Sequence, residues 1–255
     1  MTILSLISLL SLLIAPFPVG GHSTGFYVKR NAEHHQPALD ASFSYIEGYD
    51  AYYVDKRHGD DCEERVLYLT FDAGYENGNI AKILDALKAE GVPAAFFVLE
   101  NLIKRNTDLV RRMSDEGHLV CNHTMHHRDM SQISDPDAFA AELNALEALY
   151  RETIGKEMAK YYRPPEGRVS EKNLDMAQSL GYKTVLWSFA YADWDNAKQP
   201  SEEAAIKKIL DNTHNGAIVL LHPTSATNAA ILPRLIKEWR AMGYRFGSLD
   251  ELCGE

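Results

Sequence analysis

From residue 66 to the C-terminus, short apolar runs alternate with longer amphipathic runs, and this alternation constrains the fold more than any other feature of the sequence. Short apolar runs are typical of buried strands, and amphipathic runs of helices. The seven predicted strands are 66–71, 94–98, 118–121, 161–163, 183–187, 217–221 and 244–246. The predicted helices are 79–90, 107–116, 136–153, 171–180, 201–212 and 228–242. This pattern predicts an α/β fold, either a parallel (β/α) barrel or a wound sheet.

Glycine positions and composition narrow the class of protein. Five of the predicted helices are followed by glycine, as is typical of helix C-caps: Gly91, Gly117, Gly155, Gly181 and Gly243. Because no Gly-x-Gly-x-x-Gly motif opens a helix, nothing indicates a dinucleotide-binding fold. The 255 residues are 45% hydrophobic, as in ordinary globular proteins. Their net charge of −10 argues against a nucleic-acid partner, because phosphate binding needs a basic surface.

The N-terminus resembles a secretory signal peptide. Residues 1–14 are apolar and uncharged, and residues 15–21 are rich in proline and small side chains. An apolar segment this short does not reach the roughly 20 residues that a membrane-spanning helix needs. We therefore predict that residues 1–21 are removed and that the protein is secreted or faces the cell envelope. The segment lacks the usual Lys or Arg, and an uncleaved anchor or a buried strand-like tail is the alternative.

Residues 22–65 form an extension rich in His, Tyr and Asp, and its apolar residues are too irregular to predict a separate domain. The main domain is predicted to span residues 66–255. Cys62, Cys121 and Cys253 are an odd number of cysteines without metal-site spacing. Cys121 lies in an apolar run and is predicted to be buried. In an exported protein Cys62 and Cys253 could form a disulfide, and the sequence does not decide whether they do.

Two motifs follow predicted strands and carry side chains that could act in catalysis or bind a metal. Asp72 ends the first strand, where α/β proteins place catalytic groups, although aspartate is also a common helix cap. His123 and His127 follow the third strand four residues apart. On a helical turn the two rings would share a face and could hold one divalent ion, but surface helices also carry such pairs by chance. His118 and His126 are predicted to be structural.

Three later strand ends carry further candidates. Arg163 is followed by two prolines, whose rigid backbone suits an arginine that holds a carboxylate, or equally a surface loop. Residues 187–194 combine aromatic side chains with Asp193, which suits either sugar rings or the edge of a core. His222 follows the sixth strand, and a histidine near an aspartate is suited to general acid catalysis.

Together these motifs resemble the polysaccharide deacetylases, a carbohydrate esterase family with a distorted (β/α) barrel. The likeness covers roughly residues 66–253 and rests on Thr70-Phe71-Asp72-x-Gly74, His123-Thr124-x-x-His127, Arg163-Pro164-Pro165-x-Gly167, Asp193-Trp194 and Leu221-His222. Residues 74–78 and the extension with Gln36-Pro37 look like the peptidoglycan muramic acid deacetylases, the delta-lactam-biosynthetic de-N-acetylases of spore-forming bacteria.

The resemblance implies a hydrolase that removes N-acetyl groups from peptidoglycan glycan, acting as a monomer. Its implied roles are base for Asp72, partner of the base for Arg163, tuning carboxylate for Asp193, acid for His222, and metal ligands for His123 and His127. The predicted substrate-binding residues are Tyr75, Glu76, Pro165 and Trp194. A glycan-binding protein without catalysis, and a deacetylase of another sugar such as chitooligosaccharide, are the alternatives.

Ala73 departs from the common family pattern, which has a third metal ligand, Asp, at this position. The muramic-type subgroup also departs from Asp here, so the loss of this ligand need not mean inactivity. An alanine methyl cannot coordinate a metal. A divalent ion, most simply zinc, is therefore predicted to bind weakly.

Overall fold

The computed structural model describes residues 25–31 and 33–254. Its strands are β1 Val28–Lys29, β2 Ala38–Leu39, β3 Ala51–Tyr52, β4 Arg65–Ala73, β5 Ala95–Val98, β6 Leu119–Asn122, β7 Ala159–Tyr162, β8 Lys183–Val185, β9 Ala217–Leu221 and β10 Tyr244–Phe246. Its helices are α1 Ile80–Glu90, α2 Glu100–Arg105, α3 Thr107–Asp115, α4 Pro136–Ile154, α5 Glu171–Ser179, α6 Glu202–Asp211, α7 Ala226–Ala241 and α8 Leu249–Cys253.

Strand β4 is the centre of a parallel sheet of eight strands. It pairs with β5, β9 and β10, and the sheet continues from β5 through β6, β7 and β8 to β3. All seven predicted strands are present in this sheet, with ends shifted by a few residues. The prediction of a distorted (β/α) barrel is confirmed. Strands β1 and β2 form a separate antiparallel pair.

The barrel is distorted because β8 is short and the chain beyond it meets β9 without regular pairing. Phe189 N donates to Ile218 O at 3.2 Å, and Leu220 N donates to Phe189 O at 2.9 Å. Near the start of β9, the N-terminal extension lies between β8 and β9. There β3 pairs with β8, and Asp55 N donates to Gly216 O at 2.9 Å. The extension, predicted to be irregular, therefore contributes a strand to the barrel sheet.

Both faces of β4 are buried, which explains why its sequence is a continuous apolar run. Leu67, Leu69 and Phe71 pack into the large core beneath the helices. Val66 and Tyr68 point the other way, into a second apolar cluster shared with other strands. The backbone at the carboxyl end of β4 is therefore held from both sides, and this end carries Asp72.

All six predicted helices are present, and their ends follow local capping chemistry. Helix α4 begins where Asp135 Oδ2 accepts from Ala138 N at 3.2 Å, with Pro136 in the first turn. It ends at Gly155, whose φ of 81° is a left-handed conformation that glycine adopts without steric cost. Helices α2 and α8 were not predicted, because each is too short to show a clear apolar period.

Other predictions concern the cysteines and the N-terminal segment. None of Cys62, Cys121 and Cys253 forms a disulfide, so the Cys62–Cys253 bridge that the sequence left open is absent. Cys121 is buried, as predicted. Among the described residues, no helix combines the length and apolar character needed to cross a membrane. The predicted signal peptide, residues 1–21, lies outside the described residues.

Candidate active site

A cavity of about 680 Å³ opens at the carboxyl ends of the barrel strands. Its lining residues come from the ends of several strands and from the loops that follow them: Asp72, Gly74, Tyr75, Leu99, His123, His127, Glu166, Trp187, Ala190, Tyr191, Trp194, Leu220, His222 and Thr224. The structure thus brings together side chains that lie up to 152 residues apart in the sequence, from Asp72 to Thr224. In parallel barrels this face is where catalytic groups lie.

Arg163 lies directly behind Asp72 and is completely buried. Its guanidinium donates four hydrogen bonds of 2.9 Å, to Asp72 Oδ1, Thr70 Oγ1, Val185 O and Leu186 O. The same group stacks over the Phe97 ring at 4.1 Å from its centroid. Removing one partner of a buried ion pair typically costs about 3–5 kcal/mol. Arg163 is therefore a fixed part of the barrel that holds the Asp72 carboxylate in one orientation.

The charges around Asp72 keep its carboxylate ionised. Burial raises the pKa of Asp72, but the surrounding positive charges lower it by more, so the pKa lies below its usual range. Burial also lowers the pKa of His123 to about 4, so its ring is uncharged at neutral pH. Arg163 is then the permanent positive charge that stabilises the ionised Asp72 carboxylate, and His222 adds to this effect when its ring is protonated. Asp72 does not cap a helix, and its second oxygen faces the cavity.

His222 faces the same cavity and is held by Asp193. Its Nδ1 donates to Asp193 Oδ1 at 2.7 Å, and its backbone N–H donates to Asp193 Oδ2 at 2.8 Å. Asn228 Nδ2 donates to Asp193 Oδ2 at 2.6 Å, and the carboxylate is fully buried. Because Nδ1 is occupied, Nε2 is the ring nitrogen available to a substrate. Asn228 was not predicted, since nothing in its local sequence distinguishes it from other helix residues.

Asp193 also sets the protonation state of His222. Burial lowers the pKa of His222, but the hydrogen bond and negative charge of Asp193 raise it by more, and Asp72 adds to this effect. The net pKa lies above its usual value. The structure therefore places a carboxylate of lowered pKa and an imidazole of raised pKa across one cavity, which is the pairing that general base and general acid catalysis needs.

His123 and His127 lie together, but not on a helix. Thr124 and His127 have positive φ values of 73° and 55°, so the segment is a loop and not the helical turn that the sequence analysis considered. The loop is held by His127 N, which donates to Thr124 Oγ1 at 3.0 Å. The two rings still lie 5.1 Å apart between centroids. His123 Nδ1 donates to Arg163 O at 2.8 Å, which leaves the Nε2 lone pair free.

Two imidazoles, those of His123 and His127, line the cavity as donors for a divalent metal. His123 Nε2 lies 3.6 Å from Asp72 Oδ2. The Asp72 carboxylate is already paired with Arg163 through Oδ1. Ala73 is fully buried at the carboxyl end of β4, directly after Asp72, and its methyl group supplies no donor atom. Within the described residues, no three His, Cys, Asp or Glu side chains are grouped so that they could hold a metal ion. A catalytic zinc usually has three protein ligands.

Comparison with known proteins agrees with this geometry. The family model for polysaccharide deacetylase matches residues 59–185. The chain is 40% identical to the peptidoglycan-N-acetylmuramic acid deacetylase PdaA of Bacillus subtilis over 228 residues, which are 89% of this chain and 84% of that protein. The chain belongs to the polysaccharide deacetylase family.

Solved structures of the family share its fold. The structure of PdaA from Bacillus subtilis, described as a family 4 carbohydrate esterase, is similar with a TM-score of 0.84 and 38% identity. The similarity covers 90% of this chain and 96% of that one. A family 4 carbohydrate esterase from Bacillus anthracis is similar with a TM-score of 0.71 and 37% identity, covering 84% and 92% of the two chains.

In this polysaccharide deacetylase, two of the four predicted substrate-binding residues line the cavity. Tyr75 and Trp194 do so with 63% and 60% of their surface exposed, unusual values for large aromatic side chains. The Trp194 ring lies edge-on to His222 at 5.9 Å. Exposed aromatic faces beside His222 can stack on a sugar ring.

The other two predicted substrate-binding residues lie elsewhere. The Glu76 carboxylate accepts from Gly78 N at 2.5 Å and Ile80 N at 3.1 Å, so it caps α1. Pro165 is buried and does not line the cavity. Its neighbour Glu166, which was not predicted, lines the cavity instead. Glu166 has a left-handed φ of 55°, which no sequence pattern signals for a glutamate.

Proposed function

We propose that this deacetylase removes N-acetyl groups from the amino sugars of peptidoglycan and acts chiefly on N-acetylmuramic acid. The observation that carries the proposal is the pair Asp72 and His222, which face one cavity, each bonded to its own partner of opposite charge. The similarity to the Bacillus subtilis N-acetylmuramic acid deacetylase along most of the chain supports the choice of sugar.

The reaction follows from the two groups. Asp72 takes a proton from a water molecule, and the water oxygen attacks the carbonyl carbon of the acetamide. When the tetrahedral intermediate breaks down, its C–N bond is cleaved, and the nitrogen takes a proton from His222 Nε2. The products are acetate and a free amino sugar. Asp72 and His222 then return to their starting protonation states by exchange with solvent.

A divalent ion, most simply zinc, would be held by His123 and His127 and would polarise the acetamide carbonyl. We propose that it binds weakly, because Ala73 supplies no third ligand. Ala73→Asp introduces a charged oxygen at a fully buried position. Without zinc the variant is expected to melt at a lower temperature than the wild type, since an unpaired buried carboxylate is costly. Zinc should raise its melting temperature by more than that of the wild type.

Calorimetric titration with zinc checks this directly, with Ala73→Asn as the control of similar size and no charge. We expect zinc to bind most tightly to Ala73→Asp, less tightly to Ala73→Asn, and least tightly to the wild type. Equal zinc affinities for the three proteins would show that position 73 does not limit the site.

The incomplete donor set also favours a second candidate, a protein that binds glycan but does not hydrolyse it. A panel assay of acetate release separates the two functions. We expect acetate release from denuded peptidoglycan, less from chitooligomers and little from xylan, with each rate lowered by roughly 10²–10⁴-fold in Asp72→Asn. Glycan binding without acetate release by the wild type would support the second candidate. Faster release from chitooligomers than from peptidoglycan would reassign the sugar.

We also propose that the protein acts in the cell envelope, because peptidoglycan lies outside the membrane and residues 1–21 have the length and polarity of a signal peptide. We propose that it acts there as a monomer. Mass spectrometry of the mature protein from its host should show an N-terminus close to residue 22. A soluble cytoplasmic species that retains Met1 would contradict both the location and the substrate. Light scattering on the same sample tests the monomer.

A further inference from the structure

The N-terminal segment of the described chain packs against one wall of the cavity. Phe26 N donates to Gly167 O at 2.9 Å, and a Cβ on Gly25 would lie only 2.7 Å from Glu166 O. These contacts fix the turn at Glu166 and Gly167, two consecutive residues with left-handed φ values of 55° and 63°. The turn presents Glu166 to the cavity.

The Phe26 side chain supports a second residue of the same wall. Its ring packs edge-on to Trp187, with centroids 5.8 Å apart, and Trp187 lines the cavity. Phe26 is only 5% exposed, and its other neighbours are Phe43 and Tyr53 of the extension. Gly167 leaves room for this arrangement, since a Cβ there would lie 2.6 Å from Trp187.

We propose that Gly25 and Phe26 are positioning residues of the active site, which hold Glu166 and Trp187 as one wall of the cavity and so set its affinity for glycan. This inference rests on the proposed function of the cavity. Both residues precede the part of the chain, residues 59–185, that the family model matches. The extension is therefore part of the substrate site, although it contributes no catalytic residue.

The wall should affect binding more than chemistry. Trp187 also lies 5.8 Å from the Arg163 guanidinium, but Arg163 is held independently by its four hydrogen bonds and by Phe97. A shift of the Trp187 ring therefore leaves Arg163 in place beside Asp72. The Glu166 carboxylate can accept hydrogen bonds from sugar hydroxyl or amide groups, and these contacts depend on the turn.

Steady-state kinetics on a tetrasaccharide of alternating N-acetylglucosamine and N-acetylmuramic acid tests the proposal. We expect Gly25→Ala and Phe26→Ala to raise KM by roughly three- to tenfold, the size of one weakened polar contact, with kcat within about twofold. Phe26→Leu should restore most of the affinity. The matched controls are Tyr27→Ala, an exposed aromatic neighbour, and Gly48→Ala, whose added methyl meets no atom within 4 Å. Unchanged KM with a lowered melting temperature would overturn the proposal.

A second measurement does not depend on turnover. In a Trp194→Phe background, Trp187 is the cavity tryptophan, and the remaining one, Trp239, is fully buried. Acrylamide should quench fluorescence more strongly after Phe26→Ala, and not after Tyr27→Ala. Equal quenching would overturn the positioning of Trp187. If the wild type releases no acetate from any glycan, the proposed function fails, and the quenching result still decides whether Phe26 holds the wall.

Discussion

Replacing Asp72 with asparagine is expected to lower kcat by roughly 10²–10⁴-fold while the protein stays folded. Asparagine has nearly the same shape and can still accept a hydrogen bond from Arg163, so the buried guanidinium keeps a partner. It cannot take a proton from water at neutral pH. The loss should therefore appear in kcat, with a smaller change in the KM for the glycan.

The control for this variant is Asp85→Asn, a change of the same kind at an exposed carboxylate on α1 that pairs with Arg112. It should leave kcat unchanged. Thermal melting of both variants checks that the fold is intact. Near-normal turnover by Asp72→Asn would reject Asp72 as the base.

The second large effect is expected for His222→Ala, which should also lower kcat by roughly 10²–10⁴-fold. An amide nitrogen is a poor leaving group unless it gains a proton, and His222 Nε2 is the acid available in the cavity. His35→Ala is the control, because His35 is exposed and pairs with Asp60 in the extension. Full activity of His222→Ala would show that another group supplies the proton.

The dependence of kcat/KM on pH tests both assignments in one enzyme, because this ratio reports the pKa values of the free enzyme. Asp72 must be ionised, so activity falls as pH drops through its lowered pKa. His222 must be protonated, so activity falls as pH rises through its raised pKa. Both pKa shifts widen the pH range of activity beyond the interval from about pH 4 to about pH 6.5 that isolated Asp and His side chains would give. An acid limb and an alkaline limb with these directions are therefore expected.

Asp193→Asn should move only the alkaline limb of this profile. Without the negative charge of Asp193, the pKa of His222 falls, so activity is lost at a lower pH than in the wild type. Asp195→Asn is the matched control, because Asp195 lies two residues away and its side chain is 45% exposed. An alkaline limb that stays in place would contradict the role of Asp193.

The fold was predictable where secondary structure rests on patterns within one segment. Strands β4 and β9 are buried on both faces, so their sequences are unbroken apolar runs. Strand β3 has only two residues, and its place beside β8 depends on pairing with a segment more than a hundred residues away. Such pairing leaves no periodic signal in the extension. The closure of the barrel through Phe189 was unpredictable for the same reason.

The candidate site was predictable where a polar side chain directly follows a buried strand. Asp72 and His222 each follow a buried strand, and the structure brings them to one cavity with the expected partners. Errors arose where a side chain has competing uses. Glu76 was predicted to bind substrate, yet it lies just before α1, where its carboxylate satisfies free backbone N–H groups.

Backbone conformation accounts for the remaining differences. A helical turn was one way for His123 and His127 to share a face, but positive φ values at Thr124 and His127 make a loop that brings the two rings together instead. Glu166 reaches the cavity through a left-handed turn that depends on contacts with Gly25 and Phe26. Non-glycine residues with positive φ are rare, and tertiary contacts rather than local sequence stabilise them here.

The central claim is that Asp72 and His222 hydrolyse an N-acetyl group on peptidoglycan. The most direct measurement follows acetate release and the appearance of free amino groups on denuded peptidoglycan in the same reaction, for the wild type and for Asp72→Asn at equal concentration. We expect one amino group on muramic acid for each acetate released by the wild type, and a rate lower by roughly 10²–10⁴-fold for the variant. Acetate release without new amino groups, or equal rates for the two proteins, would contradict the claim.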